Sequence, residues 1–363
     1  MVNAKEGYTL NGESIDVLAY VDDVALTSRS TSGLQRQLDI ATTVANWAGL
    51  QFNAGKCASL HVKGNECPST VFHIQGDQMA ASDKTDLYRH LGMPTGFKYG
   101  TSGEEILENM KKDVENIHGS HLAPWQKLDA VRMFVIPQIT FHLKGGWVLR
   151  ASLTQLDNFI RNCAKEWLKL PQQASTETLF LPHKVGGLNL IPLKMLADIC
   201  DVVQAVHLLQ SKDPQVVAVA KSTLQRDVQQ HIRQPPSMEL TQEYLNASTE
   251  GLFAPPFVSR SSMWTRLRLA TRNLRKIMPM EWKCDNDGIS LLMDKKAVAA
   301  MDAEKLLKAA FRCHLAKKLA AKPSQGKVFK VERVKLGSIR SLDATLVAHV
   351  WQFQKKMLPA VHV

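Results

Sequence analysis

The first 98 residues alternate short apolar stretches with one amphipathic run. Ile15 to Tyr20 reads as an apolar strand, and Val24 to Leu26 as a second strand returning from it. Thr31-Ser32 is a plausible helix cap; Leu34, Leu38, Ala41, Ala45 and Ala48 then recur at helical spacing until Gly49 stops the run. Beyond it come Leu50-Gln51-Phe52, a turn at Asn53 to Gly55, and alternation from Ala58 to Val62. Val71 to Ile74 ends at the turn signal Gly76-Asp77, and a strand around Tyr88 to Met93 closes the region at Pro94-Thr95-Gly96. Short strands interleaved with a helix predict an α+β arrangement.

From residue 101 the period becomes helical. Glu104 to His118 forms one segment, and Pro124-Trp125 opens a second whose apolar side is Leu128, Val131, Val135 and Phe141, with a kink expected at Pro137. Leu153 to Leu170 is a third, with Leu156, Phe159, Ile160, Cys163 and Trp167 on one side. Three such helices would make a compact bundle. The loop Pro182 to Gly187 marks a boundary, and residues 192–322 are again mostly helical, with breaks at Pro235-Pro236, Pro255-Pro256 and Asp285 to Gly288. In the helix at 262–277, Arg268, Arg272, Arg275 and Lys276 share a side, either a solvated face or one that contacts phosphates. After Pro323, the stretch from Lys327 through Lys330 to Val334 alternates like an exposed strand studded with cations. These breaks divide the chain at residues 1–98, 99–190, 191–322 and 323–363.

Charge adds a partner class. Of the net +11, residues 301–363 carry +9, from thirteen Lys/Arg against four Asp/Glu. A concentrated positive end suits a polyanion, most often nucleic acid, because neutralised phosphates release counterions. No apolar run approaches the ~18 residues of a membrane span, and Met-Val-Asn-Ala-Lys-Glu-Gly is not a signal peptide. Six scattered cysteines without Cys-x-x-Cys spacing fit reduced thiols, and Cys313-His314 lacks partners at zinc-ligand spacing.

The densest chemistry is Leu18-Ala-Tyr-Val-Asp-Asp23, two carboxylates at the tip of an expected hairpin. Neighbours on a regular strand point to opposite faces, but a turn can display both. Crowded carboxylates repel, and a divalent cation relieves that repulsion by holding both ionised. Nucleotidyl transfer needs acidic groups at such a rigid, exposed point, where Mg²⁺ can bridge a triphosphate and an attacking hydroxyl.

This block resembles the Tyr/Phe-x-Asp-Asp motif of reverse transcriptases, and its surroundings resemble non-LTR (LINE-like) retrotransposon enzymes of the ribosomal-DNA-inserting kind. The resemblance runs in order from Gly7-Tyr-Thr-Leu-Asn-Gly-Glu13 into the Asp-Asp block, then Trp47 to Cys57, then Tyr88-Arg89-His90-Leu91-Gly92, similar to the primer-grip hairpin. Trp125 to Leu143 and Asn158 to Pro171 are similar to the helical thumb; Gly186 to Leu190 and Gln325 to Phe329 are similar to segments downstream. The resemblance implies part of a palm at 1–98, a thumb at 99–190, a helical linker at 191–322 and a basic tail at 323–363. It further implies that Asp22 and Asp23 are catalytic and ligate Mg²⁺, and that Lys56 assists the leaving pyrophosphate. Tyr20 would pack near the primer end, Tyr88 to Gly92 would hold the primer's 3′ end, and the helices at 104–170 would track an RNA-template/DNA-primer hybrid by its phosphates. Arg268, Arg272, Arg275, Lys276, Lys327 and Lys330 are the further nucleic-acid-binding candidates.

There are departures. Two-metal transfer needs a carboxylate from a second strand, which the family supplies well upstream, and only nineteen residues precede Tyr20. Asp16 lies on the incoming strand itself, a poor substitute, and Val21 stands where small residues are usual. The expectation is therefore a fragment of an RNA-directed DNA polymerase, using dNTPs in its complete form and inactive alone. A catalytically dead hybrid-binding module and a pseudogene product without function are the alternatives. The family implies an intracellular, nuclear setting, for which Lys317-Lys318 and Lys355-Lys356 are weak import signals.

Overall fold

The computed structural model describes residues 6–10, 12–97, 103–146, 148–171, 174–254, 262–286 and 288–321; the basic strand expected around Lys327 and Lys330 lies outside the described residues. The architecture is α+β, with short sheets and a helical middle region. The described residues fall into two units, those within 1–102, 145–147 and 211–226 and those within 103–144, 148–210 and 227–363.

The first unit is built from hairpins around one helix. β1 (Tyr8–Leu10) pairs antiparallel with β2 (Glu13–Ile15), and β3 (Val17–Tyr20) with β4 (Asp23–Leu26). Helix α1 (Thr31–Trp47) is capped one residue before the expected Thr31-Ser32: Ser30 accepts from the Gly33 N–H at 3.0 Å, and Gly49 ends the helix in a left-handed conformation. Leu38, Ala41 and Ala45 are buried, and Leu38 packs with Phe72, Ile74 and Met79. The remaining strands are short: β5 (Ala58–Ser59) pairs in parallel with β8 (Ala80–Ala81), while β6 (His73–Ile74) and β7 (Asp77–Gln78) turn at Gln75-Gly76. The Gln35 amide pairs with His73 as a strand would, donating to its carbonyl (2.9 Å) and accepting from its N–H (3.1 Å). β9 (Leu87–His90) and β10 (Met93–Gly96) complete the unit.

The second unit has the larger core. α2 (Glu104–Gly119), α3 (Pro124–Ala130), α4 (Thr140–Gly145) and α5 (Arg150–Trp167) account for the expected bundle. Between α3 and α4 the helix loosens to a π-turn at Val131–Val135 and tightens to a 3₁₀ turn at Ile136–Ile139. Pro137 has no N–H to return to the preceding turn, which accounts for the break expected there. Met110, Val114, Val131, Ile139 and Leu153 are wholly buried in one core that continues to Leu193 and Cys200. After α6 (Glu177–Phe180), Gly186 takes a left-handed turn, and a side chain at Gly187 would collide with the Leu181 carbonyl. α7 (Leu193–Leu209) is then capped by Asp157 of α5, which accepts from the Leu193 and Lys194 N–H groups at 2.6 and 3.0 Å.

α8 (Pro214–Ile232), α9 (Met238–Leu245), α10 (Met263–Leu274) and α11 (Ala300–Ala320) match the helical reading of 192–322. That reading missed a three-stranded antiparallel sheet of β11 (Met280–Asp285), β12 (Gly288–Met293) and β13 (Lys296–Ala297). Trp282 is wholly buried and donates to the Thr271 hydroxyl at 3.1 Å. Asn246 pairs with Trp282 on the β11 edge, accepting from its N–H (2.9 Å) and donating to its carbonyl (2.7 Å). None of the six cysteines forms a disulfide, and among the described residues no helix is long and apolar enough to cross a membrane.

Candidate functional site

The β3–β4 hairpin pairs Tyr20 with Asp23, so Val21 and Asp22 are the two turn residues. Asp22 sits at the apex and Asp23 opens the outgoing strand; both are exposed. Directly opposed residues share a sheet face, so Asp23 lies on the same face as Tyr20 and, two residues back, Leu18. That face is open: Tyr20 is 66% exposed and Leu18 56%. The other face leads through Leu26 into the core around Leu38. The root is tied down. Thr27 donates its N–H to the Asp16 carbonyl (3.0 Å) and its hydroxyl to the Ile15 carbonyl (2.5 Å), and Gln37 of α1 donates to the Thr27 carbonyl (3.2 Å). A fixed root and a projecting tip give two carboxylates a defined position in solvent.

Val21 holds φ at +55°. A β-branched residue there brings its side chain against its own backbone, a conformation that costs about 1–2 kcal/mol. The small residue that the resemblance implies at this position would adopt the turn without that cost.

Asp16 is not part of the tip. It precedes β3 at the root, roughly 13 Å away along a strand rising ~3.3 Å per residue. Its Oδ1 is buried without a hydrogen-bond partner and packs over Gly7, where any side chain would overlap it. Among the described residues no three His, Cys, Asp or Glu side chains come together as a metal would require. Asp22 and Asp23 are thus a pair without a third protein ligand there, which does not fit a complete two-metal site.

Lys56 ends a 3₁₀ turn, Ala54–Lys56, and is exposed. Its carbonyl accepts from the Tyr88 hydroxyl at 2.6 Å, so two regions thirty-two positions apart are clasped together. Tyr88 and Arg89 lie on β9, His90 ends it, and Leu91-Gly92 form the turn to β10 with φ of +50° and +77°. Both central residues in the left-handed region define a tight hairpin turn, for which Gly92 is suited and Leu91 is not. No hydrogen bond or ion pair among the described residues joins Asp22 or Asp23 to Lys56 or Tyr88. The Tyr88–Lys56 clasp had no local sequence signal, since nothing near either residue marks the other.

On α10 the cationic stripe splits. Arg268 is turned inward: it donates to the Tyr244 carbonyl at 3.0 Å and to that of Ser248, and lies 5.0 Å from both the Tyr244 and Phe253 rings. Burial lowers its pKa. Its guanidinium is committed to the fold. Arg272, Arg275 and Lys276 are exposed, Arg275 also donating to the Asn246 carbonyl at 2.5 Å.

No protein-family model matches the chain. Over 205 residues, 54% of the chain, it is 28% identical to the retrovirus-related Pol polyprotein from type-2 retrotransposable element R2DM of Drosophila melanogaster, 19% of which is covered. Over 223 residues, 59% of the chain, it is 28% identical to the Pol polyprotein from type-1 retrotransposable element R2 of Popillia japonica, 30% of which is covered. The chain is distantly similar to R2 retrotransposon Pol polyproteins. It spans less than a third of the length of either. An uncharacterized protein of Caenorhabditis elegans is 24% identical over 229 residues, which cover 64% of that protein and 61% of the chain.

Proposed function

We propose that the chain is a portion of an RNA-directed DNA polymerase of a non-LTR retrotransposon, with Asp22 and Asp23 as its acidic pair. The observation that carries this reading is the hairpin tip: two adjacent carboxylates, exposed, on a fixed root, beside an exposed tyrosine. The similarity to R2 Pol polyproteins supports it. In the complete polymerase a primer 3′-hydroxyl would attack the α-phosphate of a dNTP on an RNA template. Bound Mg²⁺ would supply charge neutralisation; this chain's part is to hold Asp22 and Asp23 at the apex, with Lys56 beside the outgoing pyrophosphate. The Tyr88–Lys56 clasp would fix the grip hairpin that steadies the primer end. Exposed Arg272, Arg275 and Lys276, with Lys327 and Lys330, would meet phosphates.

With two carboxylates gathered and no third among the described residues, the chain assayed by itself is expected to lack polymerase activity while binding an RNA/DNA hybrid. Primer extension on poly(rA)/oligo(dT) with Mg²⁺ or Mn²⁺ tests the first part, and extension abolished by Asp22→Ala would overturn it. Hybrid binding that weakens steeply with salt is the expected second result. No association with the hybrid even at low salt would sink the whole reading.

A further inference from the structure

A cavity of about 330 Å³ opens in the second unit beside the Pro137 break, lined by that helix, by Asn189 and Ile191, and by α11. Its apolar lining is Ile136, Pro137, Ile191 and Leu196, of which Ile136 and Leu196 are buried and Pro137 is exposed. Three cations share the lining: Arg132 comes from the π-turn, and Lys308 and Arg312 lie one turn apart on α11. The carboxylate in the lining, Glu304, is already met twice, by Lys308 at 2.6 Å and Lys144 at 3.3 Å. Arg132 engages Asp129 through Nη2 at 2.8 Å, but its Nε is buried with no hydrogen-bond partner. Arg312 is half-buried and donates to a neutral group, the Asn189 side-chain carbonyl at 2.7 Å. Burial lowers its pKa, and no carboxylate counters that effect. The lining thus carries three cations and one carboxylate, and the surplus is partly removed from water. A surplus of that kind is costly unless an anion meets it.

We propose that this pocket takes one nucleotide unit of a single-stranded nucleic acid, its phosphate on Arg132, Lys308 and Arg312 and its base or sugar against Ile136 and Pro137. Apolar and cationic groups in one lining together match an anion with a planar body better than a bare ion. The volume lies at the small end of ligand pockets, room for one nucleotide and too little for a duplex. The Asn189 and Thr140 side chains add polar groups to the same lining. The assignment makes no use of Asp22 or Asp23, and it stands or falls apart from them.

The test is fluorescence anisotropy of the full chain with a labelled oligo(rU), titrated between about 50 and 200 mM salt. Arg312→Gln is expected to weaken binding about five- to tenfold and to reduce the salt slope by roughly 0.7, the share of one single-strand phosphate contact. Arg312→Lys should recover most of the loss, and Lys295→Gln, which removes the same charge from an exposed turn, should stay within about twofold. Arg132→Gln is the second variant, should Arg312→Gln fail to fold. Displacement by AMP would support the pocket and name a free nucleotide as its source. Folded Arg312→Gln and Arg132→Gln chains with wild-type affinity and slope would overturn the proposal. So would equal competition by oligo-glutamate, which would make the pocket an acidic-peptide site.

Discussion

Two hairpins of similar make stand in opposite surroundings. β3–β4 turns in two residues and leaves Leu18, Tyr20 and Val24 exposed; β11–β12 buries Met280, Trp282 and Leu291 almost completely. Both have an alternating apolar side and an acidic turn, so local sequence does not separate them. What separates them is what lies against the apolar side. For β11 it is α9 and α10, whose Asn246, Gln242 and Thr271 also satisfy its edge and its indole. For β3–β4 it is solvent over Tyr20 and a small core only behind Leu26. A two-stranded ribbon is marginal by itself, so the acidic tip owes its position to its root. The buried hairpin is structure, and the open one is where chemistry has room.

The sharpest way to break this comparison is to truncate the same kind of side chain in each. Trp282→Ala should cost about 3–5 kcal/mol, through lost burial and an abandoned Thr271 hydroxyl. Tyr20→Ala should leave stability within about 0.5 kcal/mol. Urea unfolding followed by circular dichroism measures both. Comparable losses would mean that Tyr20 is packed in solution and the two hairpins do not differ.

A second test uses pH on the better-packed unit. Burial pushes Asp157 up to about 6, against the pull of the Leu193 and Lys194 N–H groups and the charges of Arg161 and Lys194. The folded chain then keeps a proton that the unfolded chain, with an ordinary carboxyl near 4, has released. On this group's account stability is highest below about pH 4, falls as pH rises to about 6, and is flat above, a loss of about 2–3 kcal/mol. Asp157→Asn should remove that slope. The first unit, which contains no such buried carboxylate cap among its described residues, should keep its own pH profile when the slope is removed.

Helix α10 shows how far sequence reading reaches. Arg268, Arg272, Arg275 and Lys276 are spaced to share a helical side, although α10 ends at Leu274, and nothing local marks Arg268 as different. The rings that claim it, Tyr244 and Phe253, lie on segments fifteen to twenty-four positions away. By contrast α1 is legible because its cap, its spacing and its terminating glycine are all local, as is the break at Pro137. The β11–β12 hairpin does carry a signal, Met280, Trp282 and Cys284 alternating before a turn at Asp285 to Gly288. That turn reads as a break between helices, because six-residue strands are short against the helices around them. The cavity beside Pro137 is invisible in the sequence, since it needs Arg132, Asn189 and Arg312 brought together from distant segments. Arg268→Gln should accordingly cost about 2 kcal/mol, leaving two carbonyls unmet and the Tyr244 and Phe253 rings without their cation, while Arg272→Gln should leave thermal stability unchanged within experimental spread.

The smallest expected effect bears on the tip itself. Val21 carries the left-handed turn with a branched side chain, so Val21→Gly removes a steric cost of about 1–2 kcal/mol. Glycine returns part of that gain by loosening the unfolded chain, so a net stabilisation of about 0.5–1 kcal/mol is expected. Because β3–β4 lies outside the main core, global unfolding would hardly register it. Amide exchange of Tyr20 and Asp23 would, since those residues face each other across the turn. Slower exchange there, with no change at Trp282, would show that strain is held locally at the carboxylate pair. Faster exchange would mean that the valine stiffens the tip more than it strains it, and that the pair's fixed position depends on Val21 as well as on the root.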